Sequence, residues 1–147
     1  MRKKYYAVLL LILSLILLTG CDTGGVPRDL EDQYHLFLET AKVDIAGATK
    51  YCYYTDASAK KNLLQMEGGD GGEATILEWK QLNASLWVVL TRIDYSGPSI
   101  PKPYSREYYQ FVGYIDGKPY VMQNYRHVPD ELRGDLDLTV YRSPYEA

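Results

Sequence analysis

The spacing of apolar residues changes abruptly at Glu67 to Gly72, the stretch "EGGDGG". Glycine loses more backbone freedom on folding than any other residue, so a stretch this rich in glycine does not continue a helix. Before it, apolar residues recur at helical spacing, and after it they alternate in steps of two. The chain is therefore predicted to form helices first and an antiparallel sheet afterwards, which is an α+β domain.

Two or three helices are predicted before the glycine-rich stretch. The first spans Arg28 to Lys42, with acidic residues early and a basic residue at its end, as the helix dipole favours. A second is predicted from Val43 to Tyr54, with Asp44 as its cap and Cys52 on its apolar face. A third is predicted from Ala57 to Met66. The apolar face of the first helix consists of Leu30, Tyr34, Phe37, Leu38 and Ala41.

Four or five strands are predicted after the glycine-rich stretch. The first two span Glu73 to Leu82 and Ala84 to Tyr95, and they are expected to pair. Alternation along the second strand places Trp87 and Asp94 on opposite faces. The helices are expected to pack on one face of this curved, mainly antiparallel sheet.

The dipeptide Asp116-Gly117 predicts a tight hairpin, because both turn positions need positive φ. A two-residue loop there places Tyr114 opposite Pro119. Beyond the hairpin, Pro129 to Arg133 is predicted to form one helical turn, and Leu136 to Arg142 a last strand.

The N-terminus has the layout of a secretory signal. Basic Arg2, Lys3 and Lys4 precede an apolar run from Ala7 to Leu18. A helix of that length measures about 18 Å, well short of the roughly 30 Å of hydrocarbon in a bilayer, so it is a poor permanent span. We expect residues 1–20 to be removed; an uncleaved anchor is the alternative.

The residues Leu18, Thr19, Gly20 and Cys21 resemble the lipobox of bacterial lipoproteins. The resemblance implies cleavage between Gly20 and Cys21, acylation of the Cys21 thiol, and a mature chain that starts at this cysteine. Two or three acyl chains hold a domain stably at a bilayer, at about 0.8 kcal/mol per buried methylene. Residues 28–147 are expected to form a single domain. The linker from Cys21 to Pro27 spans at most about 20 Å, so this domain is expected to lie close to the extracytoplasmic side of the cell membrane.

Loss of the signal also changes the charge of the chain. Removing its three basic residues takes the formal net charge from -3 to -6. Such a surface is repelled by polyanions, so nucleic acid is not an expected partner. With Cys21 acylated, Cys52 is the only other cysteine, so no internal disulfide is expected and a buried apolar role for Cys52 is favoured.

The order of elements from Arg28 to Arg142 resembles the nuclear transport factor 2-like superfamily, a cone-shaped fold shared by steroid isomerases and many small lipoproteins. The resemblance is one of layout, without a diagnostic motif, and implies a cone-like sheet. A cystatin-like arrangement, or another helix-plus-sheet fold, predicts nearly the same pattern.

Few residues carry chemistry. The two histidines, His35 and His127, lie far apart in the sequence and lack the spacing of a zinc site. The glycine-rich stretch carries no lysine for phosphate and no alternating ligands for calcium. We therefore expect no metal, no cofactor and no enzymatic activity. The alternative is a small isomerase that holds a carboxylate such as Asp94 in an apolar, cone-shaped pocket.

Tyrosine is the conspicuous excess, with fifteen residues, of which only Tyr5 and Tyr6 lie in the predicted signal. Adjacent Tyr108 and Tyr109 must lie on opposite faces of a strand, so one face cannot bury both. Tyrosine offers a large rigid contact area with one polar tip, which suits recognition. Alternatively, tyrosines simply fill a half-buried sheet.

The sequence thus favours a non-enzymatic, lipid-anchored domain that binds an envelope protein or a small ligand through its tyrosine-rich sheet. A concave sheet lined by Trp87, Tyr114 and Tyr120 would provide the pocket. A structural subunit of an envelope assembly is the other possibility that the sequence leaves open.

We expect Cys21→Ser to abolish acylation, because serine lacks the thiol that receives the lipid. The variant should incorporate no labelled palmitate and should keep its signal residues, as shown by mass spectrometry of membrane and soluble fractions. Normal cleavage together with retention on the membrane would contradict the lipobox prediction.

Overall fold

The structure is a computed structural model that describes residues 25–57 and 72–145. The predicted signal, the lipobox with Cys21 and nearly all of the predicted helix from Ala57 to Met66 lie outside the described residues. Within the described residues, three short or medium helices pack with a four-stranded antiparallel sheet, as expected of an α+β domain.

The sheet is a simple meander in which each strand pairs with the next. The predicted hairpin is confirmed, with Tyr114 opposite Pro119. Its turn residues Asp116 and Gly117 have φ of 51° and 74°, the positive values that a two-residue hairpin loop requires. The predicted pairing of the first two strands is also confirmed. The strands are β1 (Glu73–Asn83), β2 (Leu86–Tyr95), β3 (Tyr104–Ile115) and β4 (Lys118–Met122).

The first helix, α1, spans Arg28–Val43 and follows the prediction closely. The second prediction is wrong in length: α2 covers only Ile45–Ala48, and a 3₁₀ turn, Thr49–Tyr51, follows it. Extended backbone begins at Cys52, because the N–H group of the next residue donates to the Val121 carbonyl at the edge of β4. The pairing with β4 outweighs the weak helix propensity of the aromatic and β-branched residues in this segment.

One face of the sheet is covered by α1. The buried face of this helix, formed by Leu30, Tyr34 and Phe37, is the one that the sequence predicts. Burial of a large apolar side chain contributes roughly 1.5–3 kcal/mol, so this packing is the main attachment of the helix to the sheet. The sheet residues of this cluster are Trp87, Val89, Val112 and Val121.

The opposite face is covered by the C-terminal segment. The predicted helical turn is present as α3, Asp130–Arg133. The predicted strand from Leu136 to Arg142 is wrong: Leu138–Tyr141 is a 3₁₀ turn whose start is capped by Asp137. Local side-chain hydrogen bonds of this kind compete with strand pairing. The buried residues on this face are Leu86, Val88, Phe111, Met122, Val128 and Leu138.

One glycine of the sheet is required by close backbone contact. A Cβ atom on Gly113 would lie 2.6 Å from the Ser85 carbonyl oxygen, which belongs to the turn before β2. That carbonyl accepts a hydrogen bond from the N–H group of Tyr114 at 3.1 Å, so it cannot move freely.

We therefore expect Gly113→Ala to lower the free energy of unfolding by about 1–3 kcal/mol, the usual cost of overpacking. Urea denaturation of the full chain provides the measurement. Gly25→Ala is the matched control, because no atom lies within 4 Å of the added Cβ there. Equal stability of the two variants would show that the Ser85 carbonyl leaves room for a side chain at position 113.

Candidate functional site

The residues predicted to line one concavity are split between the two faces of the sheet. Trp87 and Tyr114 do meet, with ring centroids 6.2 Å apart and an interplanar angle of 86°. Tyr120 lies on the opposite face, because it pairs with Gly113 rather than with Tyr114, and its ring packs against Tyr53. Trp87 is only 4% exposed and belongs to the core. The expected trio therefore does not form a pocket.

Tyr114 connects the sheet to the start of α1. Its hydroxyl donates to Oδ1 of Asp29 at 2.5 Å. Partial burial, together with this hydrogen bond, raises the pKa of Tyr114 to about 12. The polar tip of Tyr114 therefore anchors the first turn of the helix.

Asp94 lies on the face of the sheet opposite α1, near the end of β2. Its carboxylate accepts a hydrogen bond from the Ser105 hydroxyl and lies 3.5 Å from Nε of Arg92. The Asp94 side chain is 43% exposed. Asp94 therefore forms an ion pair at the surface, and its carboxylate does not lie in an apolar cavity.

Cys52 and His127 are the other side chains that could carry chemistry. Cys52 is buried, and burial raises the pKa of its thiol to about 12, which suppresses the reactive thiolate. Burial lowers the pKa of His127, whose ring packs edge-on against Tyr54. Within residues 25–57 and 72–145, no three His, Cys, Asp or Glu side chains are close enough together to hold a metal ion.

A groove of about 180 Å³ lies between the C-terminal half of α1 and the sheet. Apolar side chains form most of its wall, and two glutamines, Gln110 and Gln123, interrupt it. The apolar residues that line this groove are Phe37, Leu38, Ala41, Ile45, Ala74 and Ile93, with Tyr95 at one end.

A buried hydrogen-bond relay lies beside the groove. The hydroxyl of Tyr34 is 2.6 Å from Oγ1 of Thr91 and 2.6 Å from Oε1 of Gln110. All three side chains are buried, and Tyr34 and Thr91 are fully inaccessible. Burial raises the pKa of Tyr34 well above its ordinary value of about 10, so this hydroxyl stays protonated at physiological pH.

An aromatic patch extends the same face of the sheet beyond the groove. The rings of Tyr95 and Tyr104 are stacked, with centroids 4.8 Å apart. The Arg106 guanidinium lies 5.1 Å from the Tyr104 centroid and 4.7 Å from that of Tyr145. We define the patch as Tyr95, Tyr104, Arg106, Tyr108 and Tyr145.

The patch is accessible and continuous with the groove. Tyr104 is 44% exposed and Tyr145 is 50% exposed, while Tyr95 belongs to both the patch and the groove wall. The hydroxyl groups of Tyr95 and Tyr108 are 3.3 Å apart. A hydrogen bond with Tyr108 raises the pKa of Arg106. The guanidinium, which is always charged in proteins, therefore places a positive charge among the rings.

The sequence predicts a tyrosine-rich surface but not these members of it. It singles out Trp87, Tyr114, Tyr120 and Asp94 for ligand binding, and none of these belongs to the patch. One pattern in the sequence could have identified the patch. Tyr104, Arg106 and Tyr108 alternate along one strand, which places their side chains on a single face.

Comparisons with known proteins found no match to any protein-family model, curated protein or solved structure. In the described part of the chain, no helix is both long enough and apolar enough to cross a bilayer.

We expect Tyr34→Phe to lower the free energy of unfolding by about 1–3 kcal/mol, because it leaves Thr91 and Gln110 buried without their shared partner. Tyr51→Phe is the matched control, since Tyr51 packs against the same core and is only partly buried. Its effect should stay within about 0.5 kcal/mol. Urea denaturation of both variants tests the difference, and equal effects would contradict a stabilising relay.

Proposed function

We propose that the mature chain is a membrane-anchored extracytoplasmic lipoprotein, without enzymatic activity, that binds a partner protein or a small ligand through one tyrosine-rich face. The binding face consists of the aromatic patch and the adjoining groove. The observation that carries the proposal is the exposed stack of tyrosines around Arg106.

The location rests on the N-terminal residues. The signal layout and the resemblance of Leu18 to Cys21 to a lipobox support acylation at Cys21. Acyl chains there, followed by a short linker, would keep α1 within about 20 Å of the membrane surface. The negative charge of the mature chain supports a partner other than anionic lipid or nucleic acid.

The composition of the patch supports a binding role. Tyrosine and arginine dominate the residues that carry binding energy at protein interfaces, because they combine large contact area with hydrogen-bonding groups. Tyr104 and Tyr145 are about half exposed, so burial in the core does not account for their placement. Contact between the Arg106 guanidinium and their rings orders the patch before any partner arrives.

A cone-like sheet similar to that of the nuclear transport factor 2-like superfamily remains part of the proposal. Irregular register between Ile76 and Glu78, and again between Gln81 and Asn83, supports it. Bulges of this kind bend a strand and increase its twist. Curvature of β1 toward α1 would deepen the helix-side groove.

We expect Tyr104→Ala and Tyr145→Ala each to reduce partner binding about tenfold or more, as truncation of a binding anchor does. The measurement is crosslinking of the full, lipid-anchored chain in its native membranes, with quantification of the crosslinked product. Leu36→Ala is the control, because Leu36 is also 50% exposed but lies on α1 outside the patch.

Retention of the crosslinked product in both tyrosine variants, with thermal unfolding unchanged, would remove the patch from the binding face. An equal loss in Leu36→Ala would show that the effect is not specific to the patch.

A further inference from the structure

We infer that the groove beside α1 binds an uncharged, ring-sized ligand that carries a hydrogen-bond acceptor, and that the carboxamide NH₂ group of Gln110 is the donor. The inference rests on the proposed function, because it specifies the chemistry of a ligand for the same face. Three properties of the groove support it: the orientation of one amide, the size of the groove and the pairing of the charged residue on the described part of its wall.

The relay determines which end of the Gln110 carboxamide faces the groove. The Tyr34 hydroxyl has one proton, which it donates to Oε1 of Gln110, so the Thr91 hydroxyl donates to the Tyr34 oxygen. The distance of 2.6 Å between the Tyr34 and Gln110 oxygens is typical of O–H···O contacts and short for N–H···O. The carboxamide oxygen therefore faces Tyr34, and the NH₂ group faces away.

That NH₂ group is an unused donor. Gln110 is 9% exposed and lines the groove. Among residues 25–57 and 72–145, the only hydrogen bond of its side chain is the one that the carboxamide oxygen accepts. The nitrogen of this group is not among the fully buried, unpartnered atoms of the described residues, so it is in contact with solvent, and a ligand oxygen placed in the groove would replace water as its acceptor. The polar contact of the ligand is thus assigned to a single atom, Nε2 of Gln110.

The size of the groove limits the apolar part of the ligand. Its volume is about 180 Å³, close to the roughly 150 Å³ of an engineered apolar cavity that binds benzene. Sites for drug-sized molecules begin at about 300 Å³. The side chains of Phe37, Leu38 and Ile93 offer an apolar wall for one ring or a group of similar size.

The charges around the groove favour a neutral ligand. Lys42 is the charged residue on its wall, and the Lys42 ammonium is paired with the Glu73 carboxylate. Among the described residues that line the groove, no other cation is present to hold an acidic ligand. The remaining polar groups of the wall are the uncharged amides and one tyrosine hydroxyl.

The test compares two probes with the same ring and a two-carbon substituent, acetophenone and ethylbenzene, of which only acetophenone carries an acceptor oxygen. The full chain is reconstituted in lipid nanodiscs, and empty nanodiscs correct for partition of the probes into lipid. Side-chain amide signals in the proton–nitrogen NMR spectrum report binding. We expect acetophenone to shift the Gln110 amide signals and to bind about tenfold more tightly than ethylbenzene, a difference of about 1.4 kcal/mol.

Two variants test the role of the donor. The double variant Tyr34→Phe with Gln110→Leu removes both ends of the buried hydrogen bond, which limits the loss of stability. It should lose the preference for acetophenone. Gln123→Leu is the matched control, because it removes the other glutamine of the wall and should preserve the preference for acetophenone.

The same ratio of the two affinities in the unmodified chain and in the double variant, or binding of neither probe, would overturn the inference. If the tyrosine variants of the patch still lose their partner in that case, the proposed function stands without this ligand. If Tyr104→Ala and Tyr145→Ala also leave partner binding unchanged, the tyrosine-rich face is not a binding face and the proposed function fails as well.

Discussion

The position of α1 on the sheet depends on one polar group, the hydroxyl of Tyr34. It connects α1 to β2 through Thr91 and to β3 through Gln110, and no water reaches Tyr34 or Thr91. Apolar packing alone would tolerate small shifts of the helix along the sheet. Two short hydrogen bonds in a buried setting do not, because any shift would leave a polar group without a partner. The groove and the orientation of its amide follow from this attachment.

The sheet itself is covered on both sides, which explains its buried central strands. The helix α1 covers the face that carries Val89, and the C-terminal turns cover the face that carries Val88. Toward the end of β2 and the start of β3 the cover by α1 is lost, and there the tyrosines of the patch are accessible. The same alternation of side chains therefore produces a core at one end of the sheet and an exposed aromatic surface at the other.

Local signals in the sequence predicted the elements that local interactions determine. The hairpin at Asp116-Gly117 and the helix α1 are examples, since turn chemistry and helical spacing suffice for each. The strand predicted from Leu136 failed because tertiary burial of Leu138 and capping by Asp137 determine that segment. The groove was not predictable, since it depends on the position of α1 over the sheet. The separation of Tyr114 from Tyr120 was predictable, because the correct hairpin register already places them on opposite faces.

The most direct test of the central claim, that Tyr34 is buried with its hydroxyl engaged, is a pH titration of its ring carbon by NMR. Since the pKa is raised, the protonated hydroxyl contributes stability that is fully present below about pH 10 and is lost as the pH rises further. We expect the Cζ signal of Tyr34 not to titrate while the protein remains folded. A Tyr34 signal that titrates near pH 10 in the folded protein, as a free phenol does, would contradict it.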